Sequence, residues 1–159
     1  MRFASQSGAS VRLEWGAAAV EHLAGDVDCV VVVDVMSFST CVDVAVARGA
    51  HVLPYAWRDA SAPACARERG AEVASVDRRL ADGWSLSPTS LRTVPAGLKL
   101  VLPSPNGSAI AFLARDKGVA VFERGFAADI DLCPDEDASD VAARLDGDRF
   151  VAVAKGAAS

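Results

Sequence analysis

The sequence is poor in the residues that build metal and disulfide frameworks. It has four cysteines and two histidines in 159 residues, and no cysteines form a CxxC pair or stand at zinc-ligand spacing. A structural zinc site is therefore not expected. A disulfide framework is not expected either, because it needs a secreted context that the sequence does not indicate.

Basic runs and long apolar runs are also missing. The formal net charge is −5 and no Lys/Arg cluster occurs, which argues against nucleic acid as the main partner. No apolar run approaches the roughly 18 residues of a membrane span, and the valine-rich run at 29–33 already ends at Asp34. The first residues lack an apolar signal region, so a cytoplasmic protein without membrane contact is expected.

What the sequence does have is small apolar residues. Hydrophobic residues make up 52% of the chain and aromatic residues only 6%, and most of the apolar content is Ala and Val. A chain of this length buries enough surface for one core. Residues 1–159 are therefore interpreted as a single domain with a core of small side chains.

Valine-rich segments alternate with alanine-rich ones that end at glycine. The segment 27–35, VDCVVVVDV, has the pattern of a strand covered on both faces. Strands are predicted at 27–35, 51–55, 72–75, 98–102, 119–122 and 150–154, and helices at 15–24, 41–48, 60–69, 109–117 and 137–145. This alternation predicts an α/β class protein, a layered α/β/α fold with a mostly parallel sheet.

A first candidate loop follows the strand at 27–35. Asp34 lies at the strand end, where a carboxylate can anchor the loop or bind a hard cation such as Mg²⁺. Ser37, Ser39 and Thr40 then lead into a helix, whose free N–H groups with these hydroxyls can bind an anion. The alternative is an ordinary helix cap beside a solvated aspartate.

A second candidate loop follows the strand at 98–102. It contains Ser104, Asn106, Gly107 and Ser108. The Asn-Gly pair permits positive φ, and Ser108 is expected to cap the next helix. The loop can cradle a phosphate with backbone N–H groups, or it can be a plain turn. Because ligands bind beyond the carboxyl ends of strands in open α/β sheets, both loops are expected at the same end of the sheet.

The segments that carry these loops resemble the 2-phosphosulfolactate phosphatase (ComB-like) family. The similar segments are EWG at 14–16, VVVVDVMSFSTCVDVAVARGAHVLPY at 30–55, SLSPTSL at 85–91 and PAGLKLVLPSPNGSAIA at 95–111. The resemblance covers about residues 11–122. It implies a Mg²⁺-dependent phosphatase that converts (2R)-phospho-3-sulfolactate to 3-sulfolactate and phosphate, in coenzyme M biosynthesis.

The resemblance also implies roles for the residues of both loops. Asp34 would be catalytic and would hold or orient Mg²⁺. The residues implied to bind the small polyanionic substrate are Ser37, Ser39, Thr40, Ser104, Asn106, Gly107 and Ser108.

Two departures from the family keep other functions open. Ser37 stands where the family commonly carries an arginine, so a phosphate-binding fork is missing there. Residues 123–159 diverge from the family and lack its acidic C-terminal residues, so the chain is interpreted as truncated or divergent. The alternatives are a degenerate, non-catalytic anion-binding domain and an α/β domain whose loops are structural. The strand at 150–154 has no helix after it to cover one face, which suggests a homodimer.

Overall fold

The computed structural model describes residues 6–34, 37–57, 59–78, 82–123 and 140–154. Within these ranges the helices are α1 (Gly16–Leu23), α2 (Phe38–Ala47), α3 (Ala62–Glu68), α4 (Pro88–Leu91) and α5 (Gly107–Asp116), and a 3₁₀ turn spans Ala24–Asp26. The strands are β1 (Cys29–Val32), β2 (His51–Tyr55), β3 (Glu72–Val73), β4 (Lys99–Pro103), β5 (Ala120–Glu123), β6 (Val141–Asp146) and β7 (Arg149–Ala154). Most of the divergent segment 123–159 lies outside the described residues.

The two longest helices end where glycine allows the chain to turn back. Gly49 follows α2 with φ +83° and Gly118 follows α5 with φ +76°. The N–H of Gly49 donates to the carbonyl of Val46, and that of Gly118 to Arg115, each at 2.8 Å. Positive φ carries no steric penalty in glycine, so these positions stop the helices and direct the chain into the following strands.

The strands form one mixed sheet in the order β1-β5-β6-β7-β2-β4-β3. The pairs β1/β5, β2/β4 and β3/β4 are parallel, whereas β5/β6, β6/β7 and β2/β7 are antiparallel. The α/β class is therefore confirmed. The prediction of a mostly parallel sheet is not confirmed, because half of the described pairings are antiparallel.

The antiparallel pairs come from a hairpin that the sequence analysis missed. A helix was predicted at 137–145, but Val141–Asp146 forms β6, so that prediction is wrong. Asp146 pairs with Arg149 across a two-residue turn whose first residue, Gly147, has φ +61°. A Gly-Asp pair between two strand-like segments is a hairpin signal, and cross-strand pairing outweighs the helix propensity of this alanine-containing segment.

One face of the sheet carries the main core, beneath α2 and α5. Val32 of β1, Val121 of β5, Phe150 of β7 and Leu100 of β4 all belong to this cluster. The other face is buried at the β2–β4 end, where Leu53 and Val101 pack with Ala66 of α3. At the β1 end that second face is open, since Val31 is 51% exposed. The predicted three-layer arrangement is therefore complete only at one end of the described sheet.

The position of β7 changes the argument for a partner chain. The strand predicted at 150–154 is confirmed, but it lies inside the sheet between β6 and β2. Among the described strands, the free edges are those of β1 and β3. No helix in the described part of the chain is long and apolar enough to cross a bilayer.

Candidate anion-binding site

The starts of α2 and α5 are in direct contact. A Cβ atom added to Gly107 would overlap the ring of Phe38, lying only 3.0 Å from its Cγ atom. Phe38 is the first residue of α2 and Gly107 the first residue of α5. The two loops that the sequence analysis selected therefore meet at their helix starts.

This meeting is not explained by a common strand direction. The three antiparallel pairings between β5 and β2 reverse the chain direction an odd number of times, so β1 and β4 run oppositely in the sheet order. The expectation that both loops leave the same end of a parallel sheet is therefore wrong. Neighbouring strands rotate by about 20–25°, which accumulates over the five steps from β1 to β4. We attribute the convergence to this twist and to the packing of α2 and α5 on one face.

A hydrogen bond to the Ser39 side chain connects the backbone of Asp34 to the start of α2. The backbone N–H of Asp34 donates to Ser39 Oγ at 2.9 Å, and Ser39 Oγ donates to the carbonyl of Val32 at 3.4 Å. Ser39 is fully buried, whereas Asp34 is partly exposed. The contact seen for Ser39 is thus a link between β1 and α2, and its contact with substrate stays a prediction. Thr40, in the same helical turn, is 8% exposed.

Ser37 has a strained backbone at the same place. Its φ is +92°, in the left-handed region that non-glycine residues rarely adopt, and it is 3% exposed. Its carbonyl accepts the N–H of Cys41 at 2.8 Å, and its Oγ donates to the carbonyl of Leu86 at 3.1 Å. Strained residues of this kind cost about 1–3 kcal/mol and concentrate at functional sites. The strain therefore favours a binding role for this loop.

Arg78 is a site residue that the sequence analysis missed. Its Nη2 atom donates to Ser37 Oγ at 2.7 Å, across 41 positions of the chain. The sequence has no arginine at position 37, but the fold brings a guanidinium to the hydroxyl of that residue. No local pattern around Arg78 signals this, because the contact depends on the packing of the segment after β3.

A hydroxyl-rich pocket adjoins this arginine. Its volume is about 520 Å³. Besides Arg78 its lining includes the hydroxyl residues Ser87, Thr89, Ser90 and Thr93. The lining also includes the carboxylate of Asp82, so the guanidinium and hydroxyl donors that suit an oxyanion share the pocket with one acidic side chain.

The second loop is built differently from the expectation. Asn106 has φ −89° and Gly107 is helical, so this Asn-Gly pair starts a helix and does not form a positive-φ turn. The requirement for glycine at 107 comes from the Phe38 ring, which leaves no room for a side chain. The N–H of Ser104 donates to the carbonyl of Tyr55 at 2.7 Å, which ties this loop to β2.

Ser108 does not cap α5, because it lies at the second position of the helix. It is fully buried, and its Oγ has no hydrogen-bond partner among the described residues. A buried hydroxyl without a partner costs about 1–3 kcal/mol, and native proteins usually satisfy such groups with water or ligand. Ser108 is therefore a buried donor that a water molecule or a polar ligand at this helix start would satisfy.

The electrostatics of the two helix starts favour negative charge. Neither α2 nor α5 has a side-chain cap bond or an acidic residue in its first turn. The first N–H groups of a helix carry a partial positive charge that attracts anions. Two such ends in contact, with Arg78 at Ser37, form an arrangement suited to a phosphate or sulfonate group.

A magnesium site is not preformed in the described residues. No group of three or more His, Cys, Asp or Glu residues that could hold a metal ion occurs in the described ranges. Asp34 is the carboxylate at the start of α2, and a single carboxylate is a minimal donor set for Mg²⁺.

The fold and site place the chain in the α/β class with a mixed sheet. A scan against protein-family models finds no match, and neither do searches of curated proteins and of solved structures. The resemblance to the ComB-like family stays an expectation.

Proposed function

We propose that this chain binds a small phosphorylated polyanion where α2 and α5 meet, and that it is a Mg²⁺-dependent phosphatase of (2R)-phospho-3-sulfolactate. The contact between Phe38 and Gly107 carries the proposal, because it joins two helix starts whose N-cap residues make no side-chain cap bond. The substrate has phosphate, sulfonate and carboxylate groups. The site offers donors for more than one of them.

Each group of the site is expected to make a different kind of contact with the substrate. The first N–H groups of α2 and α5 bind oxyanions, and the guanidinium of Arg78 adds a fixed positive charge at Ser37. The unpartnered hydroxyl of Ser108 gains a hydrogen bond when a polar ligand is present. Donors fixed before the reaction also stabilise charge that develops on a transferred phosphoryl group.

The metal requirement comes from the family resemblance alone. A bound Mg²⁺ would neutralise phosphoryl charge and lower the pKa of a coordinated water. Asp34 is the residue expected to hold it. Since the described residues do not form a metal site, the roles assigned above to the helix starts, Arg78 and Ser108 do not depend on the metal.

The second candidate function is anion binding without catalysis. It is favoured by the lack of a metal-binding group of three acidic, Cys or His residues in the described ranges. In this case the same helix starts and Arg78 would bind a phosphorylated acid and release it unchanged.

Phosphate release from phosphosulfolactate, measured with Mg²⁺ and with EDTA, tests catalysis. We expect release with Mg²⁺ only, and its loss in Asp34→Asn. The control is Asp28→Asn, an exposed aspartate just before β1 and away from the site, which should keep full activity. Release that persists in EDTA or in Asp34→Asn would contradict the assignment of Asp34 and the metal.

Binding of inorganic phosphate, followed by calorimetry in EDTA, tests the anion site separately. Hydrogen bonds to charged groups contribute about 1.5–3 kcal/mol. We therefore expect Arg78→Ala to weaken phosphate binding about tenfold or more, and Arg78→Lys to recover part of the loss. The control is Arg48→Ala, which removes an exposed cation at the far end of α2.

The two measurements separate three outcomes. Binding with turnover supports the phosphatase, and binding without turnover supports the non-catalytic alternative. Wild-type protein that binds neither phosphate nor phosphosulfolactate would show that the two loops are structural.

A further inference from the structure

The segment before α1 has the pattern of a strand with one apolar face. In residues 9–15, ASVRLEW, the apolar Val11, Leu13 and Trp15 alternate with Arg12 and Glu14. A period of two residues is typical of a half-buried β-strand. This segment is nevertheless not paired in the described sheet.

In this segment the apolar side chains are exposed and a charged side chain is mostly buried, the reverse of the usual distribution. Val11 is 84%, Leu13 77% and Trp15 83% exposed. The side chain of Arg12, in contrast, is only 12% exposed, and its Nη1 atom lies 3.8 Å from Asp26 Oδ2, an ion pair without a hydrogen bond. Exposing large apolar side chains on a strand-like segment is unfavourable. The segment therefore lacks a neighbour that would cover its apolar face.

A free strand edge lies beside this segment. A groove of about 800 Å³ runs between residues 9–15 and residues 27–33, which include β1. β1 stands first in the sheet order and pairs only with β5 among the described strands. Val31 and Val33, which line the groove, are 51% and 47% exposed. An edge strand of this kind is a template for pairing with another strand.

The backbone of the segment is already able to bond as a strand does. The side-chain amide of Gln6 donates to the carbonyl of Leu13 at 3.0 Å and accepts the N–H of Leu13 at 3.1 Å. These two bonds reproduce the pair that a neighbouring strand would make with one residue. The peptide groups of Leu13 are therefore oriented for ladder bonding.

We propose that residues 9–15 of one copy of this chain pair with the β1 edge of a second copy, and that two copies exchange these segments around a two-fold axis. One surface carries both the unpaired strand and the free edge, so two identical surfaces satisfy each other. The lengths match, since seven residues at 9–15 face seven at 27–33. The charges also match, because Arg12 lies 3.8 Å from Asp26 of its own chain, and after exchange it would make the same ion pair with the partner copy.

The oligomeric state of the purified chain tests this surface. Light scattering after size-exclusion chromatography, over a range of concentrations, should show a dimer. Trp15→Lys should give a monomer with an unchanged circular dichroism spectrum. Trp57→Lys is the matched control, since Trp57 is also exposed, at 60%, but does not line the groove. A monomeric wild type would overturn the proposal, as would equal loss of the dimer in both variants.

Cross-linking distinguishes exchange from closure within one chain. Cys29 is exposed on β1, whereas Cys41 is buried. The variant for this test is Ser10→Cys, which keeps the apolar side chains of the segment. Equal parts of ¹⁴N and ¹⁵N protein, treated with a short bis-maleimide, should give cross-linked peptides between Cys29 and residue 10 with mixed isotopes. Peptides from one isotope only would show that the segment closes on its own β1, and this result would overturn the exchange.

Discussion

Large apolar side chains are buried at the junction of α2 with α5 but exposed beside the edge of β1. At the junction, Phe38 is 2% exposed and contacts both Gly107 and Phe150, whose ring centroid lies 6.4 Å away. At the edge, Leu13 and Trp15 are more than three-quarters exposed. The difference lies in where the neighbours come from. The chain supplies every neighbour of Phe38 itself, whereas the described residues supply none that covers the apolar face of 9–15.

This comparison separates stability from association. Residues at the junction should control the free energy of unfolding and the shape of the anion site together, because one aromatic ring touches both helix starts. Residues at the β1 edge should have little effect on the unfolding of a single chain. They should instead control how two chains meet.

The largest effect is expected for Phe38→Ala. Removing a fully buried phenylalanine leaves a cavity and costs about 3–5 kcal/mol of unfolding free energy. Phosphate binding should weaken as well, since the ring spaces the starts of α2 and α5. Chemical denaturation measures the first effect and calorimetry the second.

The control for this change is Trp57→Ala. Trp57 is exposed and packs edge-on against Tyr55, so its removal should cost less than about 1.5 kcal/mol. Equal losses of stability in the two variants would remove the contrast between junction and surface.

A smaller effect is expected for Gly107→Ala, which adds a Cβ atom where the Phe38 ring lies. Overpacking of this kind costs about 1–3 kcal/mol. The matched control is Gly25→Ala, where no atom lies within 4 Å of the added Cβ and φ is not positive. If Gly107→Ala were as stable as Gly25→Ala, the two helix starts would not be in contact.

Much of the fold could be predicted from the sequence because its signals are local. The segment 51–55 was predicted as a strand and forms β2 with these bounds, and the valine-rich segment at 27–35 contains β1. The sheet order could not be predicted, because it depends on where the β6–β7 hairpin inserts. The Gly147-Asp148 turn marks this hairpin, but the segment before it also has a composition typical of a helix.

The site residues likewise fall into those that a local sequence pattern predicts and those that depend on long-range contacts. Ser39 and Asp34 could be selected because a strand end followed by hydroxyl residues is a local pattern, and the structure links them by a hydrogen bond. Gly107 was selected for its permitted φ, yet the structure requires it for the close approach of Phe38. Arg78 could not be found at all, since its contact with Ser37 is long-range.

Leu13→Ser tests the β1 edge side of the comparison. Exposed positions away from special features change stability by about 0.5 kcal/mol or less. At low protein concentration we therefore expect the variant to unfold like the wild type. At high concentration the wild type should gain stability by dimerising, and the variant should not. A wild-type unfolding temperature that does not change with concentration would contradict the association.

The smallest effect is expected at the exposed turn before α3, which shows how little an exposed contact contributes compared with the junction. Ser61 donates its hydroxyl and its N–H, the latter at 3.0 Å, to Asp59 Oδ1, and these bonds lower the pKa of Asp59 below its usual value. A lowered pKa in the folded state adds stability above the ordinary aspartate pKa of about 3.9, and this stability is lost as the pH falls through the folded value. Asp59→Asn should therefore lower the unfolding temperature slightly at neutral pH, and the difference should vanish in strong acid. In a Ser61→Ala background only the backbone N–H bond remains, so this pH dependence should be weaker, and an unchanged pH dependence there would show that the Ser61 hydroxyl does not lower the pKa of Asp59.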